Sequence, residues 1–145
     1  MDWLVDTNVV LRAADRGHSA SREARSAMKA LFKNGNRLCL AKQSLVESWV
    51  VSTRPREVNG FGLSARFAAA ELHRAQKIFH ILPETDDIYR EWQTLVLRHQ
   101  VLGKASYDAR LVAAMRVHGI ENILTYNAAD FRRYDGILVL RPDQV

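Results

Sequence analysis

A chain of 145 residues, 48% apolar and 26% charged, has the size and make-up of a single folded domain, 1–145, and excludes extended disorder. Its 21 Lys and Arg against 16 Asp and Glu leave a formal charge of +5, which favours a polyanionic partner through steering and counterion release. The single cysteine excludes an intrachain disulfide, no run reaches the roughly 18 apolar residues that span a bilayer, and the amino end lacks a secretory leader, so a cytoplasmic protein is expected.

The first expected element is a strand over Asp2–Asp6, where the apolar run Trp3-Leu4-Val5 leads into Asp6-Thr7-Asn8. In an open α/β sheet ligands bind beyond the carboxyl ends of the strands, so an aspartate there presents its carboxylate to that edge. Asp6 has a second possible use as the cap of a helix starting near Thr7. Ser19–Asn34 carries Ala20, Ala24, Ala27, Met28 and Leu31 at helical spacing and stops at Asn34-Gly35. The second strand, Arg37–Ala41, sets Cys39 between Leu38 and Leu40, which predicts a buried, inert thiol. A helix over Gln43–Ser52 follows, with Leu45, Val46, Trp49 and Val50 along one stripe. Glu47 lies in its first turns, facing the same sheet edge or partnering Ser44 in a capping box.

Thr53–Gly62 contains Pro55, Asn59-Gly60 and Gly62 and predicts a loop. Its Arg54, Arg56 and Phe61 are either a plain connector or a grip for a phosphate and a base. A helix over Ser64–Lys77, a strand over Ile78–Leu82 and a helix over Asp86–Val101 come next, the last with Ile88, Trp92, Leu95, Val96 and His99 inward. Glu84, Asp86 and Asp87 flank Thr85 as helix-start residues. Tyr107–His118 repeats the helical pattern through Leu111, Val112 and Met115 and closes at Gly119. Asp108 opens that helix, either as a site acid or as a complement to the helix dipole with Ser106 as cap. A fourth strand, Glu121–Thr125, runs into Tyr126-Asn127-Ala128-Ala129-Asp130-Phe131, and a fifth is expected over Ile137–Leu140.

Strands alternating with helices predict a three-layer α/β/α sandwich around a central parallel five-stranded sheet. A strand order that sets the first strand between the second and fourth brings Asp6, Glu47, Asp108, Asn127 and Asp130 to one edge. Carboxylates gathered there repel one another, and a divalent cation removes that penalty. Oxygen donors with no histidine or cysteine among them suit a hard ion, Mg²⁺ or Mn²⁺. Other chemistries find little support. The five histidines show neither metal-ligand spacing nor a nucleophile partner, and no dinucleotide or triphosphate loop is present. A haloacid-dehalogenase-like phosphatase would need an aspartate where Asn8 stands, and a receiver domain would need one where Leu82-Pro83 stands.

Four segments in register resemble PIN-domain nucleases, close to the VapC-type toxins of bacterial toxin–antitoxin pairs. They are Leu4-Val5-Asp6-Thr7-Asn8-Val9, Gln43-Ser44-Leu45-Val46-Glu47, Tyr107-Asp108-Ala109-Arg110-Leu111-Val112-Ala113, and Ile123-Leu124-Thr125-Tyr126-Asn127-Ala128-Ala129-Asp130-Phe131, with Leu140-Arg141-Pro142 at the usual end. The resemblance implies that Asp6, Glu47 and Asp108 form an acidic triad for Mg²⁺ or Mn²⁺, with Thr7, Asn8 and Thr125 as supporting polar groups. It departs at the fourth acidic position, where many relatives carry an aspartate and this chain has Asn127, with Asp130 as the nearby acid. It further implies a metal-dependent endoribonuclease acting on RNA, a homodimer, and a cognate antitoxin that blocks the cleft. Arg12, Arg54, Arg56 and Arg110 are candidate contacts to the RNA backbone. The alternatives are a PIN-like module that binds RNA or a partner without catalysis, and a phosphatase of small substrates.

Overall fold

Alternation along the central strands decides which helices cover which face. In the computed structural model, which describes residues 1–145, β1 (Asp2–Val5) turns Trp3 and Val5 to one side and Leu4 to the other. β2 (Arg37–Ala41) does the same with Leu38 and Leu40 against Cys39 and Ala41, and β4 (Asn122–Leu124) with Leu124 against Ile123. Side chains of a strand alternate between faces, so a strand apolar on both must be covered on both. The Trp3 face packs on Val9 and Ala13 of α1 (Thr7–Ala14), Ala24, Ala27 and Leu31 of α2 (Ser21–Lys33), and Leu45 of α3 (Lys42–Thr53). The Leu4 face packs on Ile88 and Leu95 of α5 (Asp86–Arg98) and on Leu111, Val112 and Met115 of α6 (Ala105–Val117).

The five strands are all parallel, in the order β3-β2-β1-β4-β5, with β3 spanning His80–Leu82 and β5 Leu138–Leu140. The expected sandwich is therefore present, with β1 at its centre between β2 and β4. α4 (Ala65–Ile78) lies against α3, and the short α7 (Ala128–Phe131) follows β4 and anchors itself through the fully buried Phe131.

Several boundaries differ from the sequence expectation. The third strand starts at His80 instead of Ile78, because the Phe79 amide still bonds the Ala75 carbonyl at 2.9 Å and Ile78 ends α4 as an exposed residue. α6 starts at Ala105, so Ser106 is not its cap; its hydroxyl donates to the Gly103 carbonyl at 2.6 Å. α3 starts at Lys42 with Ala41 as its cap. The Ser44–Glu47 capping box is absent, Ser44 being buried without a partner for its hydroxyl while Glu47 bonds elsewhere.

The loop after α3 is a folded clamp. The amides of Phe61, Gly62 and Leu63 donate to the carbonyls of Val51, Arg54 and Ser52 at 3.0, 2.9 and 2.8 Å, closing the end of α3. This answers the unpaired carbonyls that every helix leaves at its end. A Cβ at Gly60 would lie 1.9 Å from the Arg54 carbonyl oxygen, a backbone clash that no rotamer relieves. Gly60→Ala is expected to destabilise the protein by about 2 kcal/mol, in the range of forced overpacking, read as a shift in urea midpoint at unchanged slope.

Candidate metal centre

Parallel register sets Val5 beside Leu124, so the next residues, Asp6 and Thr125, meet where both strands end. The Asp6 amide completes the ladder to the Leu124 carbonyl at 2.9 Å, and the Thr125 hydroxyl donates to Asp6 Oδ2 at 2.6 Å. Thr125 is fully buried. Its oxygen accepts from Asn8 Nδ2 at 3.3 Å and from the Asn127 amide at 3.0 Å, which uses its one donor and both lone pairs. Asn8 Oδ1 in turn accepts from the Tyr126 amide at 3.2 Å. Asp6 stands at the N-terminus of α1 without a full side-chain capping bond; its carboxylate is bonded to Thr125 across the sheet edge, with the Thr7 and Asn8 amides also favouring its charge.

Glu47 arrives from α3, one side chain along the same edge. Its Oε2 accepts from Thr7 Oγ1 at 2.9 Å and its Oε1 from Gln43 Nε2 at 2.8 Å. Both partners are neutral, so the carboxylate is oriented while its charge stays uncompensated. Asp108 is half-buried in the first turn of α6, within electrostatic reach of Asp6 and Glu47.

These acids sense one another. Burial pushes the Asp6 carboxyl above its ordinary range and Glu47 adds to the rise, against the opposing hydrogen bond from Thr125. Asp108 is pushed up to about 6, first by burial and then by the negative charges of Asp6, Asp130 and Glu47, with Arg133 opposing. The acids are thus close enough to repel, yet no three acidic, histidine or cysteine side chains close around one point as a preformed cage. Mg²⁺ keeps several waters and is typically held by one or two carboxylates, and the donor set is oxygen only.

The remaining sequence candidates divide. Asn127 and Asp130 flank and begin α7 and are exposed, Asp130 within electrostatic reach of Asp108. Arg12 is half-buried in the last turn of α1, its charge felt by Tyr126. Arg54 is drawn into the clamp, donating to the Asn59 carbonyl at 3.0 Å, whereas Arg56 is exposed. Arg110 points to Gln43 Oε1 at 3.2 Å and pairs with Glu84. Gln43 itself was missed as a site residue; its i, i+4 spacing to Glu47 is the signal that could have found it. Arg133 left no such signal, because only the fold brings it near Asp108.

Comparison with known proteins agrees with this architecture. The sequence profile of the PIN domain matches residues 3–137. Among solved structures, the chain is similar to VapBC2 from Rickettsia felis bound to a DNA fragment from their promoter, with TM-score 0.73, 13% identity and coverage of 97% of this chain and 98% of that one. It is also similar to a toxin–antitoxin complex from Klebsiella pneumoniae, with TM-score 0.68, 22% identity and 98% of both chains. A third is VapC20 of Mycobacterium tuberculosis, a sarcin-ricin loop cleaving toxin, with TM-score 0.66, 20% identity, 94% of this chain and 96% of that one. No curated protein matches the sequence.

Proposed function

This chain belongs to the PIN-domain family, and on that premise we propose that it is a divalent-metal-dependent endoribonuclease, the toxin of a toxin–antitoxin pair. The observation that carries this reading is the gathering of acids at the carboxyl ends of the central strands, Asp6 held by Thr125 and Glu47 by Thr7 and Gln43, with Asp108 pushed up to about 6 by burial and by the charges of Asp6, Asp130 and Glu47. Strongly perturbed acids gathered at a sheet edge favour function over structure. Asp6, Glu47 and Asp108 would hold Mg²⁺ or Mn²⁺, directly or through water. When bound, such an ion polarises a phosphoryl oxygen and lowers the pKa of a water to make it a nucleophile. Thr125 keeps Asp6 in one rotamer, and Thr7 with Gln43 keeps Glu47 in another, so little reorganisation is needed on binding. Asn127 supplies a neutral oxygen at the fourth position, and Asp130 the nearest extra charge. A second ion would therefore bind weakly or only together with the substrate.

The basic balance of the chain supports a polyanionic substrate, with Arg12 and Arg56 as the candidate contacts to its backbone; Arg54 and Arg110 are engaged within the fold. An antitoxin and a second copy are the proposed protein partners. Val46 and Val50 on one side of α3 and Phe67 on α4 are exposed and provide apolar area for contact, while Trp49 and Phe61 are half-buried. No helix is long and apolar enough to cross a membrane; the proposal takes residues 1–145 as one domain and its setting as cytoplasmic. The test is cleavage of a pool of structured RNAs by the wild type and by Asp6→Asn, each confirmed as folded, with Mg²⁺, with Mn²⁺ and with a chelator. Cutting by the wild type alone, and only with metal, is expected. Wild-type protein that neither cuts nor binds a divalent ion would overturn the catalytic reading and leave a binding module.

A further inference from the structure

One hydrogen-bonded line runs from outside the acidic cluster into it, and none of its outer members is an acid of the cluster. Glu84, just beyond β3, pairs with Arg110 on α6. Arg110 donates to Gln43 Oε1 at 3.2 Å, and Gln43 Nε2 donates to Glu47 Oε1 at 2.8 Å and to the Tyr107 carbonyl at 3.1 Å. Glu47 Oε2 then accepts from Thr7 at 2.9 Å. The direction of this line is forced by chemistry. Arginine has donors only, so the amide must turn its oxygen to Arg110; the carboxylate and the carbonyl are acceptors only, so its NH₂ must face them. Gln43 is the one residue that satisfies all three, and it ties α3 to α6 where Glu47 and Asp108 approach.

We propose that Gln43 is the positioning residue of the metal centre, and that Glu84 protects the centre by holding the Arg110 charge away from it. This rests on the metal-dependent reading above. Gln43 passes on the orientation set by Arg110 without passing on its charge. A lysine or arginine in its place would also hold Glu47, but would neutralise the carboxylate that a cation needs. Partners that orient metal-binding side chains commonly change metal affinity 10–100-fold when removed. Without Gln43, Glu47 keeps only its bond to Thr7 and samples other rotamers. Without the charge of Glu84, the Arg110 guanidinium is free to approach Glu47 and compete with the cation. Gln43 acts through Glu47 and touches neither the reacting atoms nor the substrate.

The experiment is calorimetric titration of Mn²⁺ into full-length wild type, Gln43→Met, Glu84→Gln and Asp6→Asn. Thermal unfolding in chelator is measured alongside, with RNA cleavage resolved into kcat and KM. Gln43→Met is expected to weaken Mn²⁺ roughly tenfold or more and to lower kcat with KM for RNA little changed. Its unfolding temperature in chelator should stay near that of the wild type, which a purely structural role would not allow. Glu84→Gln should weaken Mn²⁺ by a smaller factor, and it keeps the proposal testable if Gln43→Met does not fold. The proposal is overturned if Gln43→Met, or in its absence Glu84→Gln, binds Mn²⁺ as the wild type does while Asp6→Asn does not. Wild type that binds no Mn²⁺ is a separate failure, which overturns the metal reading and this proposal with it.

Discussion

Asp108→Asn should melt higher than the wild type in chelator at pH 8 while cutting no RNA. Burial, and then the neighbouring acids, push this carboxyl from its ordinary 3.8 up to about 6 in the folded chain. A group raised in this way contributes stability that is fully present below pH 3.8 and is lost as the pH rises through about 6. Above that window, folding holds an ionised carboxylate in a half-buried place among like charges. Discounted for the solvent that still screens it, the penalty is about 1–2 kcal/mol. Removing the charge should raise the melting temperature by roughly 3–6 °C for a chain of this size. At pH 4, where Asp108 is largely protonated in the folded chain, the two proteins should melt nearly together. With Mn²⁺ present the order should narrow or invert, because ion binding stabilises only the protein that retains its acid. A variant that melts below the wild type at pH 8 in chelator would show that the Asp108 carboxylate supports the fold more than it strains it. Such a cost in stability is the usual companion of like charges gathered for function.

The sequence exposes the acids of this cluster more clearly than what holds them. Strands β1, β2 and β4 were legible because burial on both faces demands near-continuous apolar runs, and Leu38-Cys39-Leu40 admits little else. The start of β3 was not legible, since Ile78 is as apolar as any strand residue and only the tertiary setting leaves it exposed at the end of α4. Ser44 and Glu47 have the spacing of a capping box, but the helix begins earlier, at Lys42. This shift frees Glu47 to bond Thr7 and Gln43 instead of a backbone amide. Contacts such as Thr125 to Asp6, separated by 119 positions, follow from strand order, which local pattern leaves open. Arg110 illustrates the same limit. As a lone basic residue beside Asp108 it invites a role with RNA, yet its charge is taken by Glu84, 26 positions away.

Thr125→Val is expected to have the largest effect on stability of any single-residue change at the sheet edge. Valine keeps the volume and the β-branched shape, so the loss is confined to the hydroxyl. That hydroxyl donates to Asp6 and accepts from the Asn8 side chain and the Asn127 amide, all without help from solvent at Thr125 itself. Leaving a buried carboxylate oxygen and two donors without partners should cost about 2–4 kcal/mol. The cost should depend on pH in a definite direction. The Thr125 bond is the largest influence holding down the Asp6 carboxyl, so its removal lets burial raise that group further. Stability from a raised acid is lost as pH climbs through its folded value, so the gap between variant and wild type should be wider at pH 8 than at pH 5. Metal binding should respond the same way, with the acid limit of Mn²⁺ uptake moving to higher pH in the variant. Urea unfolding in chelator at the two pH values, paired with Mn²⁺ titrations across the same range, reads both effects. A gap independent of pH would mean that the Thr125 hydroxyl braces the Asn8 and Asn127 backbone turn and that the charge on Asp6 is indifferent to it.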